Sequence, residues 1–211
     1  MKRLAIIGAG ELGKQILNLS LNNPEFVVVG FFDDTIATGT TITHGYKVIG
    51  TISDILALFN TDSFDSLVIA VGYNHMNARK SLFDTFSPII PFATIIHSSC
   101  IIDSTAVIGP GTVLYQGCII DRNVVIQDNV LLNLGVVVSH DSEICSHCFI
   151  APRAVLSGFV TIHERCFIGT AAVVIDNITV HSSNIVGAGT LVNKDLTEKG
   201  VYVGNPVRKI R

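Results

Sequence analysis

From Ile96 onward, every sixth residue is large and aliphatic: Ile102, Ile108, Leu114 and so on to Val192, with none missing. Four residues after each lies a second column, Cys100, Ala106, Thr112, Cys118 and onward to Thr190, small or β-branched almost throughout. The two columns hold 33 positions and no Lys, Arg, Asp or Glu, although 15% of the chain is charged. Chance would place about five charges there, so the columns are a buried core. A period of six with one large and one small inward residue predicts a hexapeptide β-helix. Each hexapeptide makes one flat side of a triangular prism, and three sides, 18 residues, close one coil. Successive coils stack at the strand spacing of ~4.8 Å.

Residues 1–90 lack this period. LAIIG (4–8) reads as a strand, followed by a glycine-rich turn and an amphipathic helix around Leu12–Leu21. FVVVGFF (26–32) is a second buried strand ending in Asp33–Asp34, and a loop then carries Gly39, Gly45 and Gly50. A helix near Ile52–Phe59, a strand at Ser66–Val71 and a helix over Met76–Phe86 complete a β–α alternation. That alternation predicts a small parallel sheet with helices on its faces, a Rossmann-like α/β domain. Pro88 and Pro91 mark the junction, which gives domains of 1–90 and 91–211.

Composition narrows the function classes. The chain is 48% hydrophobic with a net charge of −3 and has no long basic run, which excludes a general nucleic-acid binder. No apolar run approaches the ~18 residues of a membrane span, and the N-terminus reads as a strand rather than a signal peptide. A cytoplasmic location is the expectation. Five cysteines, an odd number with a single CxxC spacing at Cys145–Cys148 and no second such pair, suit neither a disulfide framework nor a four-cysteine zinc site, so no metal is expected. Four of them fall in the small core column; Cys145 does not, and it is not expected to be catalytic.

Two places carry candidate chemistry. The turn GAGELG, with Gly8, Gly10 and Gly13, lies between a strand and a helix. Glycines there let backbone N–H groups and the helix N-terminus meet a pyrophosphate. Asp33 and Asp34 can accept hydrogen bonds from a ribose or base. VGYN, with Gly72 and Asn74, ends a strand where open α/β sheets bind ligands. A tight turn with no ligand explains the glycines as well, and about 90 residues make only half a dinucleotide fold. The second place is the pair His140–Asp141. His140 lies two residues past inward Val138, so it points outward near a corner, and Gly158 is one full coil later, beside it. Histidine titrates near neutral pH and suits a general base; Asp141 can fix its tautomer. For His44, His75, His97, His163 and His181 a solvated surface position explains the residue better.

GAGELGK (8–14), FFDD (31–34), IAVGYN (69–74), LNLGVVVSHD (132–141), IAPRAVLSG (150–158), VGAGTLVNKD (186–195) and VYVGNPVRKIR (201–211) together carry a resemblance across essentially the whole chain. The chain resembles the bacterial sugar acetyltransferases that include UDP-4-amino-sugar N-acetyltransferases and sialic acid O-acetyltransferases. The resemblance implies a left-handed β-helix, acetyl-CoA as donor, and a homotrimer with active sites between neighbouring helices. It implies His140 as general base supported by Asp141, with Asn133 and Gly158 lining the site. It places the nucleotide of a nucleotide-linked amino sugar on the N-terminal domain through Gly10, Asp33 and Asp34. Gly187, Arg208 and Lys209 fall in motifs at the CoA end, where the two cations can meet phosphates. One departure matters: the family's HIAPGA is FIAPRA here (149–154), so Phe149 replaces a histidine that helps hold the acetyl group and Arg153 replaces a glycine. Phe149 falls on an outward strand position, where an exposed ring needs cover from CoA or a neighbouring subunit. His147 lies two residues before it as a possible substitute.

The leading expectation is acetyl transfer from acetyl-CoA to the amine of a nucleotide-linked amino sugar, a step of bacterial surface-glycan (lipopolysaccharide-type) biosynthesis, with UDP as one candidate nucleotide. O-acetylation of sialic acid or a related sugar, and a non-catalytic β-helix scaffold, remain open.

Overall fold

The computed structural model describes residues 1–211, in two compact units, Met1–Ile95 and Ile96–Arg211. The first is a five-stranded sheet built from β1 (Lys2–Ile7), β2 (Phe26–Phe32), β3 (Thr41–Thr43), β4 (Tyr46–Gly50) and β5 (Ser66–Ile69), in the order β3-β4-β2-β1-β5. Helix α1 (Glu11–Leu21) joins β1 to β2, α2 (Ile55–Asn60) joins β4 to β5, and α3 (Met76–Phe86) follows β5. β1 pairs in parallel with β2 and β5, and β2 with β4, so crossover connections are required; they are helical except between β2 and β4, where the chain passes through β3, and the central strands are buried on both faces. Leu4, Ile6, Phe31 and Leu67 are accordingly sealed from solvent.

The loop expected around Gly39–Gly50 is instead the hairpin β3–β4. Its turn residues His44 and Gly45 both take positive φ, 48° and 81°, the two-residue turn whose twist suits a hairpin. Three-residue strands carry too little alternation to be read from sequence. The first unit also runs past the expected boundary at residue 90. Leu67 N–H donates to Pro91 O (3.0 Å) and Ala93 N–H to Leu67 O (2.8 Å), so residues 91–93 pair with the α/β sheet.

The second unit is a left-handed parallel β-helix of two-residue strands joined by four-residue corners. Its three faces are a six-strand face (Ile101–Ile102 to Leu191–Val192), a five-strand face (Val107–Ile108 to Thr179–Val180) and an eight-strand face that also takes in the C-terminal strands Val201–Val203 and Arg208–Lys209. Up to Leu191–Val192 the rungs pair with the residue 18 positions away; Val138, for example, pairs with Ile120 below and Leu156 above, and only at the C-terminal end does the spacing shorten, Ile185 pairing with Val201. From Leu114 to Val192 the large column is fully buried, each side chain contributing about 1.5–3 kcal/mol. Ile96, Ile102 and Ile108, in the first coil, are only partly covered.

Polar members of the small column are satisfied except at Thr190, whose buried hydroxyl has no hydrogen-bond partner. Ser142 Oγ donates to Ser157 O (2.9 Å) and accepts from Val160 N–H (3.1 Å). The Cys148 and Cys166 thiols each donate to a backbone carbonyl at 3.1 Å. All five cysteines are free, and burial pushes the Cys145 thiol up to about 11, with the Glu143 and Glu164 carboxylates adding to the shift.

The corners obey a rule that the columns do not reveal. At every sixth residue from Gly111 to Gly189 the backbone takes positive φ. Gly, Asn and Asp occupy many of these positions, as the left-handed region demands. His147, Arg153, Phe159 and Arg165 occupy others at a conformational cost.

Candidate active site

His140 and Asp141 form the corner between the six-strand and five-strand faces, after Val138 ends its strand and before Glu143 begins the next. His140 Nδ1 lies 2.9 Å from Asp141 Oδ2. Asn123, one coil earlier, donates its Nδ2 to Asp141 Oδ1 (2.9 Å), and Arg122 Nη2 stands 3.5 Å from Oδ2. The Asn123 amide first, then the His140 ring, hold the Asp141 carboxyl below the ordinary carboxylate range. An ionised carboxylate only accepts, so the Nδ1 facing it carries the proton and Nε2 presents a lone pair. The imidazole side chain is 38% exposed, open to a reactant.

Gly158 stands directly against this ring. A Cβ there would lie 2.7 Å from His140 Cε1 and 2.9 Å from Nε2. The ladder at this level runs from Phe159 N–H to His140 O (3.1 Å) and from Asn177 N–H to Gly158 O (3.0 Å), leaving the Gly158 N–H available. A base with a fixed tautomer, a slot cleared by glycine and a spare backbone donor can together remove a proton from a nucleophile and stabilise an oxyanion.

In the first unit, the two expected motifs converge on one cavity of about 640 Å³, whose lining includes Gly8, Gly10, Asp33, Asp34, Gly72 and His75. Asn74 and Gly13 are not in that lining. Gly13 serves packing: a Cβ would fall 2.1 Å from Gly8 O, whereas one on Gly10 would meet nothing within 4 Å. Gly10 caps α1 without a side-chain hydrogen bond, so the helix presents bare N–H groups. Asp33 is spent within the fold. Oδ2 accepts Ala9 N–H (2.9 Å), and Oδ1 accepts the Thr35 N–H and hydroxyl. Partial burial raises its pKa, but these bonds together outweigh that and hold it below its ordinary value. Asp34 gives one oxygen to Ile52 N–H (2.9 Å).

Comparison with known proteins gives a consistent answer. The family model for the PglD N-terminal domain matches residues 3–86. That for the GMPPB C-terminal domain matches residues 90–202, more than half of the chain, and this part belongs to that family. The acetyltransferase domain of PglB from Neisseria gonorrhoeae FA1090 superposes with a TM-score of 0.91 at 28% identity, covering 100% of both chains. Perosamine N-acetyltransferase from Caulobacter crescentus, a form with one histidine replaced by asparagine, in complex with CoA and GDP-perosamine, gives 0.90 at 26%, covering 99% of this chain and 97% of its own. The chain belongs to the bacterial nucleotide-sugar acetyltransferases. WeeI from Acinetobacter baumannii AYE adds a TM-score of 0.84 at 25% over 100% of both chains. No curated protein sequence matches the chain.

Within a single chain of this acetyltransferase, the remaining expected site residues do not gather around His140. Asn133 sits at the corner between the eight-strand and six-strand faces, and its Oδ1 accepts the Leu134 N–H at 2.7 Å. Phe149 corrects an expectation: it is 5% exposed, not bare. Outward positions on the eight-strand face are apolar at successive levels, and Val113, Leu131 and Phe149 are all buried, with the Phe149 ring 5.9 Å from that of Phe167. His147 is no surface substitute for the missing histidine. It is buried and meets the Asn129 amide through Nδ1 at 3.0 Å. Gly187 admits the C-terminal strand, since a Cβ there would stand 2.8 Å from Val203 Cγ1. Arg208 lines a second cavity, of about 450 Å³, with Gly204 to Val207. Lys209 is paired with Glu198 at 2.8 Å.

Three residues escaped the sequence reading: Asn123 and Arg122, which hold Asp141, and Phe159. The Phe159 ring stands edge-on to the His140 imidazole, centroids 5.3 Å apart at 87°. The signal was present, because residues 123, 141 and 159 share one corner position at 18-residue spacing. No helix is long and apolar enough to cross a membrane, and no group of three or more His, Cys, Asp or Glu side chains is arranged to hold a metal.

Proposed function

We infer that the protein is an acetyl-CoA-dependent N-acetyltransferase acting on the amine of a nucleotide-linked amino sugar. The His140–Asp141 corner opposite Gly158 carries this reading within the chain, and relatives with acetyl-CoA, CoA and GDP-perosamine bound support it. In the reaction the sugar amine attacks the thioester carbonyl while His140 Nε2 takes its proton. The C–N bond forms and the C–S bond breaks. The proton then returns to the departing sulfur, giving the amide and CoA–SH. Asp141 stabilises the imidazolium, and Gly158 N–H faces the developing oxyanion.

The α/β unit holds the nucleotide. Its pyrophosphate sits on the glycine turn and the α1 N-terminus, with Asp34 and Gly72 lining the rest; Asp33 shapes the loop from behind. Arg208 meets CoA phosphate, while Lys209 is held back by Glu198. The working assembly is a homotrimer. What supports it is the outer side of the six-strand face, where Ile101, Ile119, Val137, Val155, Val173 and Leu191 stack in one aliphatic ladder, with Ile101 67% exposed. The ladder separates the Asn133 corner from the His140 corner, so a neighbouring copy on it brings the two sets of residues together. The setting is cytoplasmic synthesis of a surface glycan, with UDP or another nucleoside diphosphate as handle.

Thiol release from acetyl-CoA over a panel of UDP-, GDP- and TDP-linked amino sugars and free sialic acids tests the reading. Turnover confined to amino sugars, with the product acetylated on nitrogen, is expected. Turnover only with sialic acids, or with nothing on the panel, contradicts it.

A further inference from the structure

Phe159 stands where the corner geometry favours Gly, Asn or Asp. Its backbone has φ of 58°, in the left-handed region that a bulky side chain rarely adopts. The equivalent residues at the same corner in neighbouring coils are Asn123, Asp141 and Asn177. The ring gains little from burial in return, because the residue is 54% exposed. A strained, exposed aromatic calls for an explanation outside the folded chain itself. Its position supplies one: the ring lies beside the His140 imidazole, edge to face, and next in sequence to Gly158.

We propose that Phe159 is a specificity-determining residue whose ring packs against the C–H face of the sugar that carries the attacking amine. This rests on the acetyl-transfer reading above. Asp141 fixes Nδ1, so the amine must approach Nε2 at about 3 Å. The carbon ring bearing that amine then lies a few ångströms further out, within reach of an aromatic centroid 5.3 Å from the imidazole. The thioester has a different neighbour, the Gly158 N–H. An aromatic face suits a pyranose because it contacts C–H groups while leaving the hydroxyls to water. It selects by the shape of the sugar rather than by its charge, and leaves recognition of the nucleotide to the α/β unit.

Phe159→Asn removes the ring and places a residue suited to positive φ. The melting temperature is expected to hold or to rise by about 2–4 °C, as for relief of modest strain in a chain of this size. KM for the nucleotide-linked amino sugar is expected to rise about 3- to 10-fold, with KM for acetyl-CoA unchanged. Calorimetry should show the same loss of affinity for the intact nucleotide sugar and none for the nucleoside diphosphate alone. Phe159→Tyr should retain wild-type values. A rise in KM for acetyl-CoA instead, unchanged affinity for the nucleotide sugar, or a change in oligomeric state in Phe159→Asn would overturn the proposal. Absence of acetyl transfer by the wild type would overturn the functional reading, and the two calorimetric titrations would still decide whether Phe159 touches the sugar.

Discussion

Gly158→Ala perturbs the proposed base without replacing it. The added Cβ would lie 2.7, 2.9 and 3.3 Å from His140 Cε1, Nε2 and Nδ1. Carbon contacts relax to about 3.5–4.0 Å, so the ring must retreat by roughly 1 Å. Gly158 does not have positive φ, so alanine suits its backbone. The imidazole is 38% exposed and can swing outward, so the fold should lose little, within about 0.5 kcal/mol. The retreat breaks the 2.9 Å contact with Asp141 and carries Nε2 off its line to the amine. A misplacement of ~1 Å costs about 10²-fold in rate, which is about 2.7 kcal/mol of transition-state stabilisation. The assay is thiol release at saturating substrates, beside a thermal melt by circular dichroism. An unchanged melt with kcat down about 10²-fold is expected. Wild-type kcat in Gly158→Ala would remove His140 from the mechanism, because no undisturbed imidazole fits beside that methyl group.

Other consequences can be checked separately. Gly10→Ala meets open space and should leave stability intact while weakening nucleoside diphosphate binding by about tenfold, read by calorimetry. Gly13→Ala strikes Gly8 O and should destabilise the α/β unit by about 1–3 kcal/mol, read by urea denaturation; equal stability of the two variants would contradict this division of roles. Asn123→Ala frees Asp141 Oδ1 and should lower kcat about tenfold with KM unchanged, a loss that Asn123→Asp cannot rescue because it offers no amide donor. Arg3, through its side chain first and then its backbone N–H, holds the Asp65 carboxyl down to about 2. A depressed carboxylate stabilises the fold above its unfolded value of about 4 and loses that contribution as pH falls toward 2. The melting temperature of Asp65→Asn should therefore fall less steeply than that of wild type across this window; parallel curves would refute the pairing.

The β-helix was legible because its two columns are fixed by burial, and a single charge in either would have broken the period. The α/β core was legible for the same reason at β1, β2 and β5, whose runs are apolar on both faces. The hairpin β3–β4 was not, since its burial pattern is only partial. Phe149 was misjudged because a period of six says which residues face inward, but not whether the outer side of a face is covered. Asn123 and Phe159 were missed because the corner rule depends on φ, which hydropathy does not report. His140 was found because its function coincides with its place in the repeat. The six-residue period also puts Asn133 and His140, which follow inward Leu132 and inward Val138, at different corners of one coil, a separation that leads to the assembly proposed above.

The most direct test of the central claim compares wild type with His140→Ala in acetyl transfer to a nucleotide-linked amino sugar, with both proteins shown to bind that sugar equally by calorimetry. Mass spectrometry of the product reads acetylation. The account predicts an N-acetylated sugar from wild type and a kcat lower by about 10²–10⁴ in the variant, at unchanged affinity. Turnover by His140→Ala within about twofold of wild type would contradict it.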